Sequence, residues 1–144
     1  MNENAVSHRP DYKIDISVRI SDVNYGGHLG HAELIKITHQ ARLKFLSEFS
    51  LKEDDLDGAG IIIKELLVKY KGEAFFDDIL HISIFIDKIE KASCNFLYEI
   101  TKNNDQSVAT VLETMLFMNY KTRRIVRVPK IMFELKEKSK LLVG

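Results

Sequence analysis

The sequence predicts an α+β fold in which one antiparallel sheet of five to six strands wraps around a single long central helix. Three features carry this prediction: an alternating apolar segment near the start, one long segment of helical periodicity, and a series of strand-like segments joined by short turns. The 144 residues, of which 45% are hydrophobic and 29% are charged, suit one globular domain. We therefore expect a single domain over 1–144.

The first two elements are marked by a change in the apolar period. A strand is predicted over 13–20, where apolar residues alternate with polar ones at Ile14, Ile16, Val18 and Ile20. A glycine-containing loop follows over 21–30. From His31 the apolar residues recur at steps of three and four, which predicts a helix that ends near Ser50 and is buried on more than one side.

Strand-like segments make up most of the remaining chain. They are predicted over 61–70, 80–86, 96–100 and 108–120, and 123–128 extends the sheet before Pro129 ends it. Short connections between these segments favour antiparallel neighbours. One helix covers only one face of such a sheet, and 108–118 is apolar on both faces, so we expect a homo-oligomer. The ends are predicted as a flexible tail over 1–10 and a tail or short helix over 130–144.

Composition and charge exclude several classes of function. The formal net charge is zero, with 21 basic and 21 acidic residues, whereas nucleic acids and anionic membrane surfaces select a basic excess. The one cysteine, Cys94, cannot form an internal disulfide, which favours a reducing compartment. No apolar run approaches the roughly 20 residues of a membrane span, and the polar N-terminus does not resemble a secretory signal. We therefore expect a cytoplasmic protein without a nucleic-acid or membrane partner.

The loop before the helix carries the most specific pattern in the chain. It consists of Asp22-Val23-Asn24-Tyr25-Gly26-Gly27-His28-Leu29-Gly30-His31, and the helix that follows contains Gln40-Ala41-Arg42. Together with the order of elements, these residues resemble the hotdog fold, in particular its 4-hydroxybenzoyl-CoA thioesterase branch. In that branch the loop commonly reads D-x-D-x-x-G-H-x-x-N and the helix carries Glu-Ala-Arg. The resemblance extends from about Tyr12 to Pro129.

This resemblance implies an acyl-CoA thioesterase, which hydrolyses an acyl-CoA thioester to a free acid and CoA. Coenzyme A is then part of the substrate, and no separate cofactor is expected. The resemblance also implies a homodimer or homotetramer whose active site lies at a subunit interface. The acyl group is expected in an apolar tunnel along the helix.

Three positions depart from the pattern of this branch. Asn24 stands where many members have an aspartate, His31 where they have an asparagine, and Gln40 where they have a glutamate. An amide cannot act as a carboxylate nucleophile or as a general base near neutral pH, so these changes leave an alternative open. In that alternative the chain is a non-catalytic hotdog protein that binds an acyl thioester or another small ligand.

Thioester hydrolysis requires hydrogen-bond donors for the developing oxyanion and a base for the attacking water. Backbone N–H groups from Gly27 to Gly30 are predicted to polarise the thioester carbonyl, because a helix start presents free N–H groups and the positive end of the helix dipole. Asn24 would orient the water or the thioester, and His28 is the leading candidate base. The candidate catalytic residues are therefore Asn24, Gly27 and His28.

Five further residues are candidates for contacting the substrate: Asp22, Tyr25, His31, Gln40 and Glu65. Four of them also have a purely structural interpretation. Asp22 would brace the loop, and His31 would belong to the first helical turn. Gln40 would be a buried hydrogen-bonding residue, and Glu65 would face solvent at a sheet edge. Tyr25 would form a lid or a pocket wall.

Metal and thiol chemistry are not predicted. His28 and His31 are three residues apart, but no HExxH pattern accompanies them. The neighbours of Cys94 match no nucleophile motif. We therefore expect no metal ligands in this chain.

Overall fold

The computed structural model describes residues 9–143, with side chains described up to residue 140, and confirms the predicted α+β class. The strands are β1 (Tyr12–Ser17), β2 (Gly60–Tyr70), β3 (Ile79–Ile89), β4 (Ser93–Lys102), β5 (Gln106–Asn119) and β6 (Arg124–Val126). The helices are α1 (His31–Glu48) and α2 (Lys130–Val143), and a short 3-10 turn, Ile20–Asp22, follows β1. The element order is the predicted one: a strand, a long helix, and then a run of strands.

All six strands form one antiparallel sheet. Five of them follow the order β1-β3-β4-β5-β2, and β6 pairs with the end of β5. Short turns join β3 to β4 and β4 to β5, as expected for antiparallel neighbours. Helix α1 lies between β1 and β2 in the chain and so carries it from one edge of the sheet to the other. One long strand, β2, is therefore left at an edge.

The core lies between α1 and one face of the sheet. Leu34, Ile37, Ala41 and Phe45 point inward from α1 and are at most 3% exposed. The ring of Phe45 stacks on Tyr12 of β1, with centroids 5.1 Å apart, and contacts Phe96 of β4 at 6.0 Å. Truncating one such buried aromatic to alanine typically costs about 3–5 kcal/mol, so this contact holds α1 firmly on the sheet.

A buried polar cluster also joins α1 to the sheet. The guanidinium of Arg42 donates to Glu113 Oε2 of β5 at 2.8 Å and to Glu53 Oε1 at 2.8 Å. The hydroxyl of Tyr98 donates to the other oxygen of Glu113, also at 2.8 Å. Burial and the nearby Glu113 carboxylate raise the pKa of Tyr98. The cluster pairs each buried charge, as it must in a region that excludes water.

The opposite face of the sheet carries its own apolar cluster. Phe85, Leu97 and Leu112 are directly cross-strand from one another on β3, β4 and β5. The prediction that 108–118 is buried on both faces holds over 108–111, where four consecutive residues of β5 are buried. From 112 to 118, buried residues alternate with partly exposed ones. Strand β5 pairs with β4 on one side and with β2 on the other, so its backbone is enclosed as well.

The ends of two predicted elements differ from the structure. Strand β1 ends at Ser17 rather than at residue 20, and the chain then enters the 3-10 turn. Ile20, predicted on the buried face, is 70% exposed because the turn directs it outward. The C-terminal segment is a full helix, anchored by Met132 and Leu135, which are at most 1% exposed. Of the predicted tail over 1–10, residues 1–8 lie outside the described residues.

Neither described helix is long and apolar enough to cross a membrane.

Candidate active site

The loop between β1 and α1 is a tight hairpin-like turn. A bridge between Val23 and Leu29 closes it, and Asn24 N–H donates to the His28 carbonyl at 3.0 Å. Gly27 N–H donates back to the Asn24 carbonyl at 3.0 Å, and Gly27 has a φ of +88°. A side chain at this position would be strained, so the second glycine of the Gly-Gly pair is required by the turn itself.

Backbone hydrogen bonds lock this turn to its surroundings. Asp22 is buried, and its Oδ2 accepts from Arg19 N–H at 2.8 Å. Its carbonyl accepts from Gly30 N–H at 3.0 Å, while Leu29 N–H donates to the Ala74 carbonyl at 2.7 Å. The last contact ties the turn to the segment between β2 and β3. The start of α1 therefore has a position set by two separate parts of the chain.

A cavity of about 250 Å³ opens beside the start of α1. Its apolar wall consists of Leu29, Leu34, Ala74 and Val108. Its polar groups are on Asn24, His28, His31, Tyr70 and Glu73, and the backbone of Gly30 and Gly72 completes it. An apolar wall with a few convergent polar groups is typical of a small-molecule site.

The side chain of Asn24 has a defined orientation in this cavity. Its Oδ1 accepts from Gly26 N–H at 2.9 Å. Because an N–H group needs an acceptor, this bond identifies the oxygen of the amide and leaves the Nδ2 group as a donor. Asn24 can therefore donate to a carbonyl or a water in the cavity, but it cannot take a proton from either.

The N-terminus of α1 supplies backbone donors at the same place. Gly30 is the N-cap residue, no side chain caps the helix, and the first intrahelical acceptor is the Gly30 carbonyl, which accepts from Leu34 N–H at 3.0 Å. His31, Ala32 and Glu33 form the first turn of α1. Their N–H groups have no acceptor inside the helix, because no turn precedes them. Of these three residues His31 lines the cavity, so its N–H is the first-turn donor nearest a bound carbonyl. The N–H groups of Gly27, Leu29 and Gly30, which were predicted as donors, are already paired with backbone carbonyls.

His28 and Glu73 face each other across the mouth of the cavity. The Nδ1 atom of His28 lies 3.1 Å from the Leu29 carbonyl, and Nε2 lies 3.9 Å from Glu73 Oε2. A carbonyl only accepts, so Nδ1 carries the hydrogen and a neutral ring presents the lone pair of Nε2. The sequence did not point to Glu73, because it follows Gly72 in an ordinary turn between two strands.

The eight candidate residues separate into three groups. Asn24, His28 and His31 line the cavity. Asp22 and Gly27 shape the turn without lining the cavity, which is the bracing role considered for Asp22. Tyr25, Gln40 and Glu65 are exposed and do not line it.

Two of the exposed residues differ from a specific expectation. Gln40, expected as a buried hydrogen-bonding residue, lies on the outward face of α1, because its neighbours Ala41 and Arg42 are the ones turned toward the sheet. Tyr25 is fully exposed at the tip of the turn, because the glycines beside it fold the backbone back before the side chain can reach the cavity.

The apolar tunnel expected along α1 does not continue past the cavity in the described part of the chain. The cavity ends at Leu34 and Val108, which are at most 3% exposed. Further along α1, the space between helix and sheet is occupied by Ile37, Ala41 and Phe45. The apolar wall of the cavity therefore reaches Leu34 on α1, and the packed core lies beyond it.

Other chemistry receives no support from the described residues. They contain no group of three or more His, Cys, Asp or Glu side chains arranged to hold a metal ion. Cys94 is fully buried, and burial raises the pKa of its thiol to about 12. A thiol in this state does not provide the thiolate that nucleophilic catalysis needs.

Comparison with known proteins identifies the family. No curated protein sequence matches the chain significantly. Among solved structures, a 1,4-dihydroxy-2-naphthoyl-CoA thioesterase from Synechocystis is 15% identical, with a TM-score of 0.79 over 87% of this chain and 94% of that one. A gentisyl-coenzyme A thioesterase is 18% identical, with a TM-score of 0.76 over 87% and 99% of the two chains. A protein from Staphylococcus aureus in complex with CoA is 16% identical, with a TM-score of 0.75 over 92% and 82%.

At these identities the solved structures establish a shared fold. The sequence itself supplies the family, because residues 18–135, most of the chain, match the thioesterase-like superfamily. The predicted family and the predicted fold are both confirmed. The chain is a hotdog-fold member of the thioesterase-like superfamily.

Proposed function

We propose that this protein hydrolyses an acyl-CoA thioester to a free acid and CoA in the cavity at the start of α1. One observation carries the proposal: the Asn24 amide, the His28 ring and His31 in the first turn of α1 line one apolar-walled cavity. Two of the structurally similar proteins described above are CoA thioesterases. Their substrates are their own, but their shared reaction class agrees with this chemistry.

The proposed reaction uses these groups in complementary roles. The thioester carbonyl lies against the first-turn N–H groups, where backbone donors and the helix dipole stabilise the oxyanion. Asn24 Nδ2 donates a further hydrogen bond to the same oxygen. Nε2 of His28 accepts a proton from the attacking water. Removing one preorganised oxyanion donor typically costs about 10²–10³ in kcat, so Asn24 has a measurable share of the rate.

The acyl group of the substrate is proposed to be compact. It enters the apolar end of the cavity, which Leu34 and Val108 close. A long linear chain has no continuation along α1, where Phe45 and Ile37 fill the space. Short aliphatic or aryl groups are therefore the proposed substrates.

We further propose that the active unit is a homo-oligomer assembled through β2. This strand is 11 residues long and lies at the sheet edge. Three apolar residues of this strand, Ile63, Leu67 and Tyr70, are 40–54% exposed to solvent. A long apolar edge strand favours pairing with another strand. Tyr70 also lines the cavity, so a second copy paired at this edge would lie beside the site.

The test is release of CoA thiol from a panel that contains acetyl-, hexanoyl-, benzoyl- and palmitoyl-CoA. We expect turnover of the compact members, and a loss of roughly 100-fold or more in kcat for Asn24→Ala, in line with the loss of an oxyanion donor. Tyr25→Ala is the matched control, because Tyr25 belongs to the same turn but is fully exposed.

Two outcomes contradict parts of the proposal. Wild-type protein that is thermally stabilised by acyl-CoA but releases no thiol would favour the alternative, a non-catalytic binding protein. A monomer in light scattering at assay concentration would contradict the oligomer, and Leu67→Asp is expected to produce that monomer from the wild-type assembly.

A further inference from the structure

The cavity contains a carboxylate that the loop motif does not supply. Hydrolysis needs a proton acceptor, and Asn24 and Gln40 are amides at two positions where the branch that this chain resembles commonly has a carboxylate. The carboxylate that the loop keeps, Asp22, does not line the cavity. Gln40 is also exposed on the outward face of α1. Glu73 lines the cavity with a carboxylate, and the carboxylate of Glu33 lies against Gly30 at the start of α1.

The backbone holds Glu73 and His28 close together. Leu29, the residue after His28, donates its N–H to the carbonyl of Ala74, the residue after Glu73, at 2.7 Å. This hydrogen bond joins two segments that are 45 positions apart in the sequence. Beside it, Glu73 Oε2 lies 3.9 Å from His28 Nε2. The loop contact therefore keeps the backbones of the two residues close together, while the side chains of His28 and Glu73 are 39% and 64% exposed.

The orientation of the ring determines what the pair can do. Nδ1 of His28 donates to the Leu29 carbonyl, so the lone pair on Nε2 faces the carboxylate and the cavity. At 3.9 Å the two groups are too far apart for a direct hydrogen bond in the neutral ring. When Nε2 takes a proton from the water, the positive charge of the imidazolium lies close to the Glu73 carboxylate, which stabilises it.

Resting on the proposed function, we propose that Glu73 is a positioning residue for the hydrolysis, stabilising the imidazolium of His28 while it holds the proton of the attacking water. The water loses a proton to Nε2, and its oxygen forms a bond to the thioester carbon. The C–S bond then breaks, and the proton passes from Nε2 to the departing sulfur. The products are the free acid and CoA as a thiol, so atoms and charge balance.

The experiment measures kcat against pH for the wild type and for Glu73→Gln with a compact acyl-CoA. We expect kcat to fall about tenfold, a part of the 10²–10⁴ that general-base catalysis contributes. We also expect the dependence of kcat on pH to change, because a carboxylate no longer faces the ring that accepts the proton. Glu73→Asp keeps the charge and is expected to restore part of the rate and the wild-type profile.

Asp77→Asn is the matched control. Asp77 belongs to the same connection between β2 and β3, is exposed, and has a φ of +71° that asparagine tolerates. The substitution removes one negative charge from a side chain that does not face His28. We therefore expect the kcat and the pH profile of this variant to match those of the wild type.

Failure of this inference and failure of the proposed function give different results. An active wild type with an unchanged pH profile in Glu73→Gln would overturn the role of Glu73 and leave the thioesterase in place. The same holds if Asp77→Asn shifts the profile as much as Glu73→Gln. A wild type without turnover on any acyl-CoA would instead contradict the proposed function itself. Equal melting temperatures of the variants exclude a loss of fold as the cause.

Discussion

Replacing Arg42 by alanine removes the charge that pairs with a carboxylate inside the protein. The Glu113 side chain is 5% exposed, and one of its two oxygens is held by Arg42 at 2.8 Å. After the substitution, Tyr98 remains as the hydrogen-bond donor to Glu113. Glu53 also loses its contact with the guanidinium, so α1 loses both polar links that Arg42 makes to other elements.

The size of the effect follows from this burial. Breaking a buried ion pair by removing one partner costs about 3–5 kcal/mol, because the other charge remains buried without compensation. A domain of this size is stable by only about 5–15 kcal/mol. With about 3 °C per kcal/mol, a loss of about 4 kcal/mol lowers Tm by about 12 °C.

The assay is urea unfolding followed by far-UV circular dichroism, which suits a chain without tryptophan. Lys88→Ala is the control, since Lys88 pairs with Glu90 at 3.7 Å and both side chains are more than half exposed. A surface pair of this kind contributes at most about 1 kcal/mol. Adding Glu113→Gln to Arg42→Ala is expected to recover part of the loss, because it removes the unpaired charge.

Equal losses in Arg42→Ala and Lys88→Ala would refute the reasoning. Additive effects would refute it as well. If Glu113→Gln destabilised Arg42→Ala by as much as it destabilises the wild type, the two changes would be independent.

Three further predictions concern the cavity, the thiol and acid stability. Leu34→Ala enlarges the apolar end of the cavity. We expect kcat/KM for hexanoyl-CoA, relative to that for acetyl-CoA, to rise about tenfold, the usual effect of extra apolar contacts in a pocket. An unchanged ratio would place the acyl group elsewhere. Burial raises the pKa of the Cys94 thiol to about 12, so we expect this thiol to react with a thiol reagent only after unfolding. Equal labelling rates in native and urea-unfolded protein would contradict its burial. Burial opposes ionisation of Glu53, but hydrogen bonds from Arg42 and His39 outweigh it and lower the pKa of Glu53 below 4.5. A carboxylate whose pKa is lower in the folded state stabilises the fold above its unfolded-state pKa and loses this contribution as pH falls. The free energy of unfolding should therefore decrease below about pH 4.5, and this decrease should be smaller in Glu53→Gln.

The secondary structure was largely predictable because apolar periodicity reports which face of an element is buried. The helix predicted from His31 to near Ser50 is observed over His31–Glu48, and the strand predicted over 61–70 is observed over Gly60–Tyr70. Ile20 was misplaced because alternation continues past the point where the backbone turns. The position of that turn depends on hydrogen bonds of Val18 and Asp77–Asp78, which are far apart in the sequence.

The candidate site was predictable only where its residues belong to one loop. Asn24, His28 and His31 were identified together because a Gly-His turn before a helix has a recognisable spacing. Gly27 was assigned a donor role, but its N–H is used by the turn, and that assignment needs the backbone hydrogen bonds to decide. Glu73 carries no local signal, since a glutamate after a glycine in a turn is ordinary.

By itself the sequence determined the fold class, the family and the loop that starts the helix, since these depend on periodicity and on residues that are adjacent in the chain. Only the tertiary structure decided that Glu73 faces His28, that Gln40 points outward, and that the cavity ends at Leu34. The physical reason is that these facts depend on how distant segments pack. The hydrogen bond between Leu29 and Ala74 and the filling of the core by Phe45 arise only when the sheet and the helix are assembled.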